Sequence, residues 1–252
     1  MEVEIEPDRD YYSNILDIIH CQSIIRRWLS NKNNIYIKFK KQQLRFESVI
    51  KGYHMINKTP IKESVWEEIN CDIVDNVCFI SDEANGNHMS GKDNRFDNFN
   101  ISNKSTKQNG NNIDISSYRL TSVCNDKMPG NEQDIIQEIS KRDKSFDYYS
   151  FLIRKEKENS LINYTWYIIP KEYYLFKIDN LKPKIGKIGK KKGNVIGWES
   201  KYSQIMFSMS SQLWYKFDVK HIEKYRVCSV NIDNSKKKIG YSEIYHSFGN
   251  TI

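Results

Sequence analysis

Residues 99–123, FNISNKSTKQNGNNIDISSYRLTSV, contain the pattern that decides the fold. Phe99, Ile101 and Asn103 alternate with Asn100, Ser102 and Lys104, as in a half-buried β-strand. The segment 108–112, Gln-Asn-Gly-Asn-Asn, has the composition of a turn. Because 113–123 is a second strand candidate, the stretch predicts a β-hairpin.

Patterns on both sides of this hairpin predict further helices and strands. Helical spacing of apolar residues is found over 11–29, 35–56, 61–77 and 131–142. The third of these carries a stripe at Val65, Ile69, Ile73 and Val77. Residues 148–154 and 164–169 are strand-prone, and 204–218 would form one long strand or two short ones. A crossover helix between strands predicts an α/β (α+β) fold with a mixed central sheet flanked by helices.

Composition limits the class of protein. The chain has 252 residues, a mean hydropathy of −0.70 and 13% aromatic residues, which indicates a folded chain with a polar surface. It contains no apolar run long enough for a membrane helix, and its acidic start lacks the pattern of a secretory signal. The five cysteines include no CxxC pair, which favours reduced thiols in a cytoplasmic protein without membrane contact.

Charge and length predict one domain with a basic extension. We expect a single domain over 1–252, with a helical part at 1–60, a core at 61–170 and a C-terminal extension at 171–252. The formal net charge is +7, and the segment 182–192 holds six lysines and no acid. Its glycines suggest a mobile loop that either follows a phosphate backbone or is simply solvated.

The chemistry is concentrated in residues 86–107. Asp93 lies in a glycine-flanked loop before a strand, and Lys104 follows on the next strand with Ser102 two places before it. The period of two puts Ser102 and Lys104 on one face. A carboxylate suits a hard Mg²⁺ ion, and a nearby lysine can orient water or stabilise charge on a phosphate.

Here the chain resembles the PD-(D/E)XK nuclease superfamily, and more closely its type II restriction endonucleases. The resemblance covers about residues 61–215 and includes the element order of a restriction-endonuclease-like αβββαβ core. It rests on the segments Glu63–Glu67, His88–Asp93, Ile101–Ser105, Ile115–Leu120, Tyr148–Arg154, Tyr164–Pro170 and Phe207–Trp214.

The resemblance implies a sequence-specific endonuclease that cleaves double-stranded DNA with Mg²⁺, acts as a homodimer and belongs to a restriction–modification pair. Asp93 would hold the metal, Lys104 would assist the attacking water and Ser102 would help fix the site. Lys92 replaces the family's proline, and Ser102 replaces its second acid.

The missing acid must therefore come from elsewhere. A glutamate of the preceding helix is expected to complete the metal site, with Glu67 first and Glu63 as the alternative. Asp97 is an alternative to Asp93, and Lys107 an alternative to Lys104. On a helical wheel Glu67 lies roughly opposite the apolar stripe.

Several residues are candidates for DNA contacts. Some would bind phosphate or support the site, and others would read base edges. They are His88, Lys107, Ser116, Ser117, Arg119, Lys190, Lys191, Lys192, Ser210 and Gln212. The alternative functions are a non-catalytic DNA-binding protein, such as a repressor or a decayed nuclease, and an interaction protein whose basic loop is only solvated.

Overall fold

The computed structural model of the chain describes residues 20–23, 38–74, 93–96, 99–124, 131–178, 181–189, 192–207 and 212–249. The chain divides into two units, residues 1–41 and 42–252. Of the helix expected at 11–29, the structure describes residues 20–23, and these four are helical. The rest of that segment lies outside the described residues. All elements named below belong to the second unit.

The described part of the second unit contains four helices and ten strands. The helices are α1 (Gln43–Ile56), α2 (Glu63–Val74), α3 (Glu132–Asp143) and α4 (Tyr241–Gly249). The strands are β1 (Asn94–Phe96), β2 (Phe99–Asn109), β3 (Asn112–Arg119), β4 (Tyr148–Glu156), β5 (Leu161–Pro170), β6 (Lys182–Ile185), β7 (Val195–Glu199), β8 (Ser203–Phe207), β9 (Gln212–Asp218) and β10 (Arg226–Asp233). Two 3₁₀ helices span Tyr174–Phe176 and Val219–Tyr225.

The strands form one mixed sheet in the order β10-β5-β4-β2-β3-β9-β8-β7-β6, with β1 paired to β2. Strands β2 and β4 are parallel and are connected through β3 and α3, whereas the other pairs are antiparallel. The predicted mixed sheet with helices is therefore confirmed. The αβββαβ core is not confirmed, since the ten-stranded sheet is larger and five of its strands come from residues 171–252.

The segment 182–192 is more regular than its glycines indicated. Residues 182–185 form β6 and pair with β7, and Lys184 makes an ion pair of 2.7 Å with Glu199. The expectation of a mobile loop is corrected for this half, because backbone pairing to β7 overrides the local glycine signal. Exposed Lys182 and Pro183 on an edge strand also oppose pairing with another chain.

The predicted hairpin is present as β2 and β3, with a turn at Gly110-Asn111. Gly110 has a φ of +60°, which glycine adopts at no steric cost. Backbone pairing between the two strands covers only Gln108↔Ile113 and Asn109↔Asn112. Beyond these pairs β2 pairs with β4, and β3 pairs with β9. The hairpin therefore opens into a gap between β2 and β3.

Helix α2 is anchored on the sheet by a buried aromatic cluster. The Trp66 indole packs edge-on against Trp166 with ring centroids 5.9 Å apart, and its Nε1 donates to the Ser150 carbonyl at 3.2 Å. Ile69 and Ile73 are buried as predicted. Val65 is only half-buried and Trp66 takes its place, so the helix is rotated relative to the predicted stripe. Val77 lies outside the described residues.

Gly197 of β7 is required by a close approach of the neighbouring strand. Its φ is +152°, and an added Cβ would lie 2.2 Å from the Ile205 carbonyl oxygen. We expect Gly197→Ala to lower the free energy of unfolding by about 1–3 kcal/mol, measured by urea denaturation. In Gly52→Ala, a helix position with no atom near the added Cβ, stability should instead rise by about 0.5–1 kcal/mol. Equal effects of the two substitutions would contradict this reading.

The described cysteines differ in oxidation state. Cys71 is disulfide-bonded, whereas Cys21, Cys124 and Cys228 are free. The expectation of reduced thiols is therefore wrong for Cys71, because spacing along the chain does not show which thiols approach each other in space.

Among the described residues, no helix combines the length and apolar character needed to span a membrane.

Candidate active site

Asp93 is fixed beside β2 by backbone and side-chain hydrogen bonds. Its backbone N–H donates to the Ile101 carbonyl at 2.9 Å, which places it at the start of β1 against β2. Its Oδ2 accepts from the Asn103 backbone N–H and, at 3.3 Å, from the Ser102 hydroxyl. The carboxylate side chain keeps 19% exposure, so it stays accessible to a ligand.

The Lys104 ammonium lies at the centre of the site. Its side chain is only 8% exposed. The Nζ donates to Glu63 Oε1 at 2.8 Å and to the Asn103 carbonyl at 2.7 Å, and it lies 3.5 Å from Asp93 Oδ2. The structure thus brings Asp93, Ser102 and Lys104 together around one point.

Glu63 reaches this point across the gap between β2 and β3. It lies in the first turn of α2, and its second oxygen accepts from the Ser116 hydroxyl of β3 at 3.4 Å. One carboxylate therefore joins the lysine of β2 to the hydroxyl of β3. Sequence reasoning put Glu67 first, whereas direct contact with Lys104 belongs to Glu63.

Glu67 is one helical turn from Glu63 and shares this environment. Burial raises the pKa of Glu67 to about 7, and the negative charges of Asp93, Glu63 and Glu68 add to the rise, with Lys104 opposing it. The rotation of α2 brings Glu67 to a half-buried position instead of the side opposite the core that the wheel suggested. Glu68 next to it is exposed.

The charge of Lys104 is held by the same carboxylates. Burial alone would lower the pKa of Lys104, but Asp93, Glu63 and Glu67 outweigh burial and raise it. Lys104 therefore stays protonated. The pKa of Glu67 nevertheless stays high, first because the carboxyl is buried and then because Asp93 is negatively charged.

A chain of buried amides ties α2 to the strand that follows Asp93. Asn94 Nδ2 donates to Asn70 Oδ1 at 2.8 Å, and Asn70 Nδ2 donates to the Ser150 hydroxyl at 3.2 Å. Trp166 Nε1 donates to the same hydroxyl at 2.9 Å. Sequence reasoning missed these positioning residues; an asparagine on the buried side of an amphipathic helix was the available signal.

The residues predicted to contact DNA differ in their exposure and in their contact with the site. Ser116 belongs to the site because its hydroxyl donates to Glu63. Exposed Arg119 lies opposite Gln212 where β3 pairs with β9. Ser117 is buried at 7% exposure, and its carbonyl accepts from Gln212 Nε2 at 2.7 Å. Burial of Ser117 therefore leaves its side chain little access to DNA.

The structure describes two of the predicted lysine contacts, Lys107 and Lys192. Lys107 is ion-paired with Glu156, which also accepts from Arg154, and Lys192 is exposed. Four further candidates lie outside the described residues: His88, Lys190, Lys191 and Ser210. Asp97, the alternative acid, lies outside them as well.

A Mg²⁺ ion at this point would have to be held mainly by water and substrate. The described residues contain no group of three or more His, Cys, Asp and Glu side chains that could hold a metal ion. Mg²⁺, however, is commonly bound through one or two carboxylates, with water and phosphate oxygens supplying the rest. Asp93 and Glu67 are the two carboxylates that would hold the ion, and the negative charge of Asp93 adds to the effect of burial in raising the pKa of Glu67.

Comparison of the chain with protein-family models, with curated proteins and with solved structures gives no match. What bears on function is therefore the geometry around Lys104.

Proposed function

We propose that the protein is a Mg²⁺-dependent, sequence-specific endonuclease of the restriction type that hydrolyses double-stranded DNA. The observation that carries this proposal is the buried Lys104 ammonium, held 2.8 Å from Glu63 and 3.5 Å from Asp93 beside a glutamate with a raised pKa. Exposed ion pairs are common on protein surfaces, but a buried lysine shared among several carboxylates is costly to desolvate. Such arrangements occur preferentially at functional sites.

Each side chain has a role in phosphodiester hydrolysis. Asp93 and Glu67 would hold the metal, which polarises the phosphate and lowers the pKa of bound water. Lys104 orients the attacking water and offsets the charge that develops on the phosphate oxygens. Glu63 and Asn103 fix the ammonium, and Ser102 holds the Asp93 carboxylate in place. Water attacks phosphorus as the bond to the 3′ oxygen breaks, which gives 5′-phosphate and 3′-hydroxyl ends.

Cutting both strands of a palindromic site would require two copies of the site related by a two-fold axis, because protein symmetry mirrors site symmetry. A homodimer in the cytoplasm beside a protecting methyltransferase is accordingly part of this proposal.

A non-catalytic DNA-binding protein is the second candidate. Ser102 stands where the resemblance calls for a second acid, and a hydroxyl is a poorer Mg²⁺ ligand than a carboxylate. This candidate predicts binding to DNA with no metal-dependent cleavage.

Incubation with several unmodified DNAs of varied sequence separates the two candidates. With Mg²⁺ we expect discrete fragments on a gel, and with EDTA we expect intact DNA. Intact DNA in every Mg²⁺ reaction, together with salt-dependent DNA binding, would refute the nuclease proposal in favour of the non-catalytic one.

A further inference from the structure

The excess positive charge of the chain is concentrated in one segment. Residues 171–226 contain thirteen Lys and Arg against five Asp and Glu, while the whole chain has a net charge of +7. The remaining residues are therefore close to neutral. This excess of positive charge along the sequence favours contact with a polyanionic partner.

The same segment exposes a cluster of aromatic rings, which we call the tyrosine platform (Tyr174, Tyr202 and His221). Tyr174 and Tyr202 are 42% and 47% exposed. The Tyr202 ring lies 6.0 Å from Tyr174 and 5.4 Å from His221, both edge-on, and the Tyr174 hydroxyl lies 3.3 Å from His221 Nδ1. Rings held by one another but open to water can stack on an incoming flat group.

Lysines accompany these rings. Lys201 Nζ lies 5.7 Å from the centre of the Tyr202 ring. Lys224 Nζ lies 4.7 Å from the Tyr173 ring, which packs edge-on against Tyr174 at 4.6 Å. Aromatic faces interleaved with ammonium groups suit a ligand that alternates bases with phosphates.

An open cleft of about 560 Å³ extends from the platform to the turn of the β2–β3 hairpin. Tyr202 and His221 line one part of it, and Asn109, Asn112 and Asp114 line the other.

One face of β3 connects the cleft to the active site. Asn112, Asp114 and Ser116 alternate along β3 and so lie on one face. Ser116 contacts Glu63, so this face runs from the cleft to the active site, roughly 13 Å at the rise of a strand.

We infer that the tyrosine platform binds unpaired nucleotides of the DNA strand that flanks the cleaved phosphodiester. The rings stack on bases, and Lys201 and Lys224 contact the phosphates. The faces of bases inside a duplex are already stacked on one another, whereas an unpaired base has a face that is free to cover an exposed ring. The link to the cleaved strand rests on the proposed function, whereas binding to the platform does not.

The test measures binding of a fluorescein-labelled twelve-residue oligothymidylate by anisotropy in EDTA. For the double variant Tyr174→Ala/Tyr202→Ala we expect at least tenfold weaker binding than wild type, since stacking contributes about that factor per base. Tyr174→Phe/Tyr202→Phe keeps both rings and should bind within about twofold of wild type. Lys201→Ala leaves the rings in place and should weaken binding with a smaller dependence on salt.

Binding of the alanine variant at wild-type strength would overturn the inference. So would an equal loss for a blunt duplex, which would assign the platform to paired DNA, or tighter binding of an oligouridylate, which would assign it to RNA. If the double variant unfolds, Tyr202→Ala alone gives the same readout, since Tyr202 lies in a turn before β8. Because binding in EDTA involves no cleavage, a wild-type protein that cuts no DNA would remove the proposed function without changing this result.

Discussion

Lys104→Met is expected to lower the single-turnover rate of DNA cleavage about 10²–10³-fold, because the side chain that offsets charge on the reacting phosphate is lost. Methionine fills a similar volume but cannot donate to Glu63, the Asn103 carbonyl or Asp93. The rate would be measured with enzyme in excess over a DNA that the wild type cuts. Binding of the same DNA in EDTA should change much less.

The same substitution should destabilise the metal-free protein. Glu63 and Asp93 would face each other without the ammonium, and breaking a buried pair from one side is costly. Their side chains keep 35% and 19% exposure, so we expect a loss of roughly 2–4 kcal/mol, toward the lower part of the range for buried pairs. Urea denaturation in EDTA measures this loss of unfolding free energy. Cleavage by the wild type and by Lys104→Met is compared at temperatures where both proteins are folded.

Lys155→Met is the matched control, since Lys155 is an exposed lysine of β4. It should leave both the cleavage rate and the stability near wild type. A folded Lys104→Met protein that cuts DNA as fast as the wild type would remove Lys104 from the mechanism.

Local patterns were sufficient for much of the fold. The β2–β3 hairpin, α3 and the two central strands β4 and β5 follow from alternation, turn residues and helical spacing within each segment. The placement of β6 to β10 depends on pairing between distant segments, which periodicity within a segment does not encode. The gap between β2 and β3 is missed for the same reason, since each strand leaves its hairpin partner for a remote one.

Local patterns likewise predict one part of the candidate site and miss another. Asp93, Ser102 and Lys104 could be placed together because β1 pairs directly with β2 and strand residues alternate. The contribution of α2 depends on how the helix is rotated, and neighbouring helix positions differ by about 100°. With Val65 instead of Trp66 in the buried stripe, the helical wheel places Glu67 opposite the core, although Glu67 is the first candidate for the metal site. The packing of Trp66 on Trp166 sets the rotation, and a single segment does not show that contact.

Glu67→Gln is expected to have opposite effects on stability and on cleavage. It removes a metal-binding carboxylate, so Mg²⁺-dependent cleavage should fall by about 10² or more. It also removes a negative charge that burial, Asp93 and Glu63 disfavour. The metal-free variant should therefore be more stable than the wild type above neutral pH, by roughly 1–3 kcal/mol after allowance for solvent screening.

The pH dependence follows from the direction of the shift. The pKa of Glu67 is raised to about 7 in the folded protein, so between its ordinary value and 7 the folded state binds more protons than the unfolded state. The stability that Glu67 contributes is present at low pH and is lost as pH rises through 7. His54 acts in the opposite direction, because burial lowers its pKa and its contribution is lost as pH falls below 6.5. Since both proteins contain His54, the difference between wild type and Glu67→Gln isolates Glu67.

Glu68→Gln is the matched control because Glu68 adjoins Glu67 but is exposed. Urea denaturation in EDTA from pH 5 to pH 8 should show a gap between Glu67→Gln and wild type that widens with pH, and no such gap for Glu68→Gln. Mg²⁺ at a hundred times its dissociation constant should stabilise the wild type by about 2.7 kcal/mol and Glu67→Gln much less. If Mg²⁺ stabilised the two proteins equally, Glu67 would not be a metal ligand, and the raised pKa would reflect burial beside Asp93 alone.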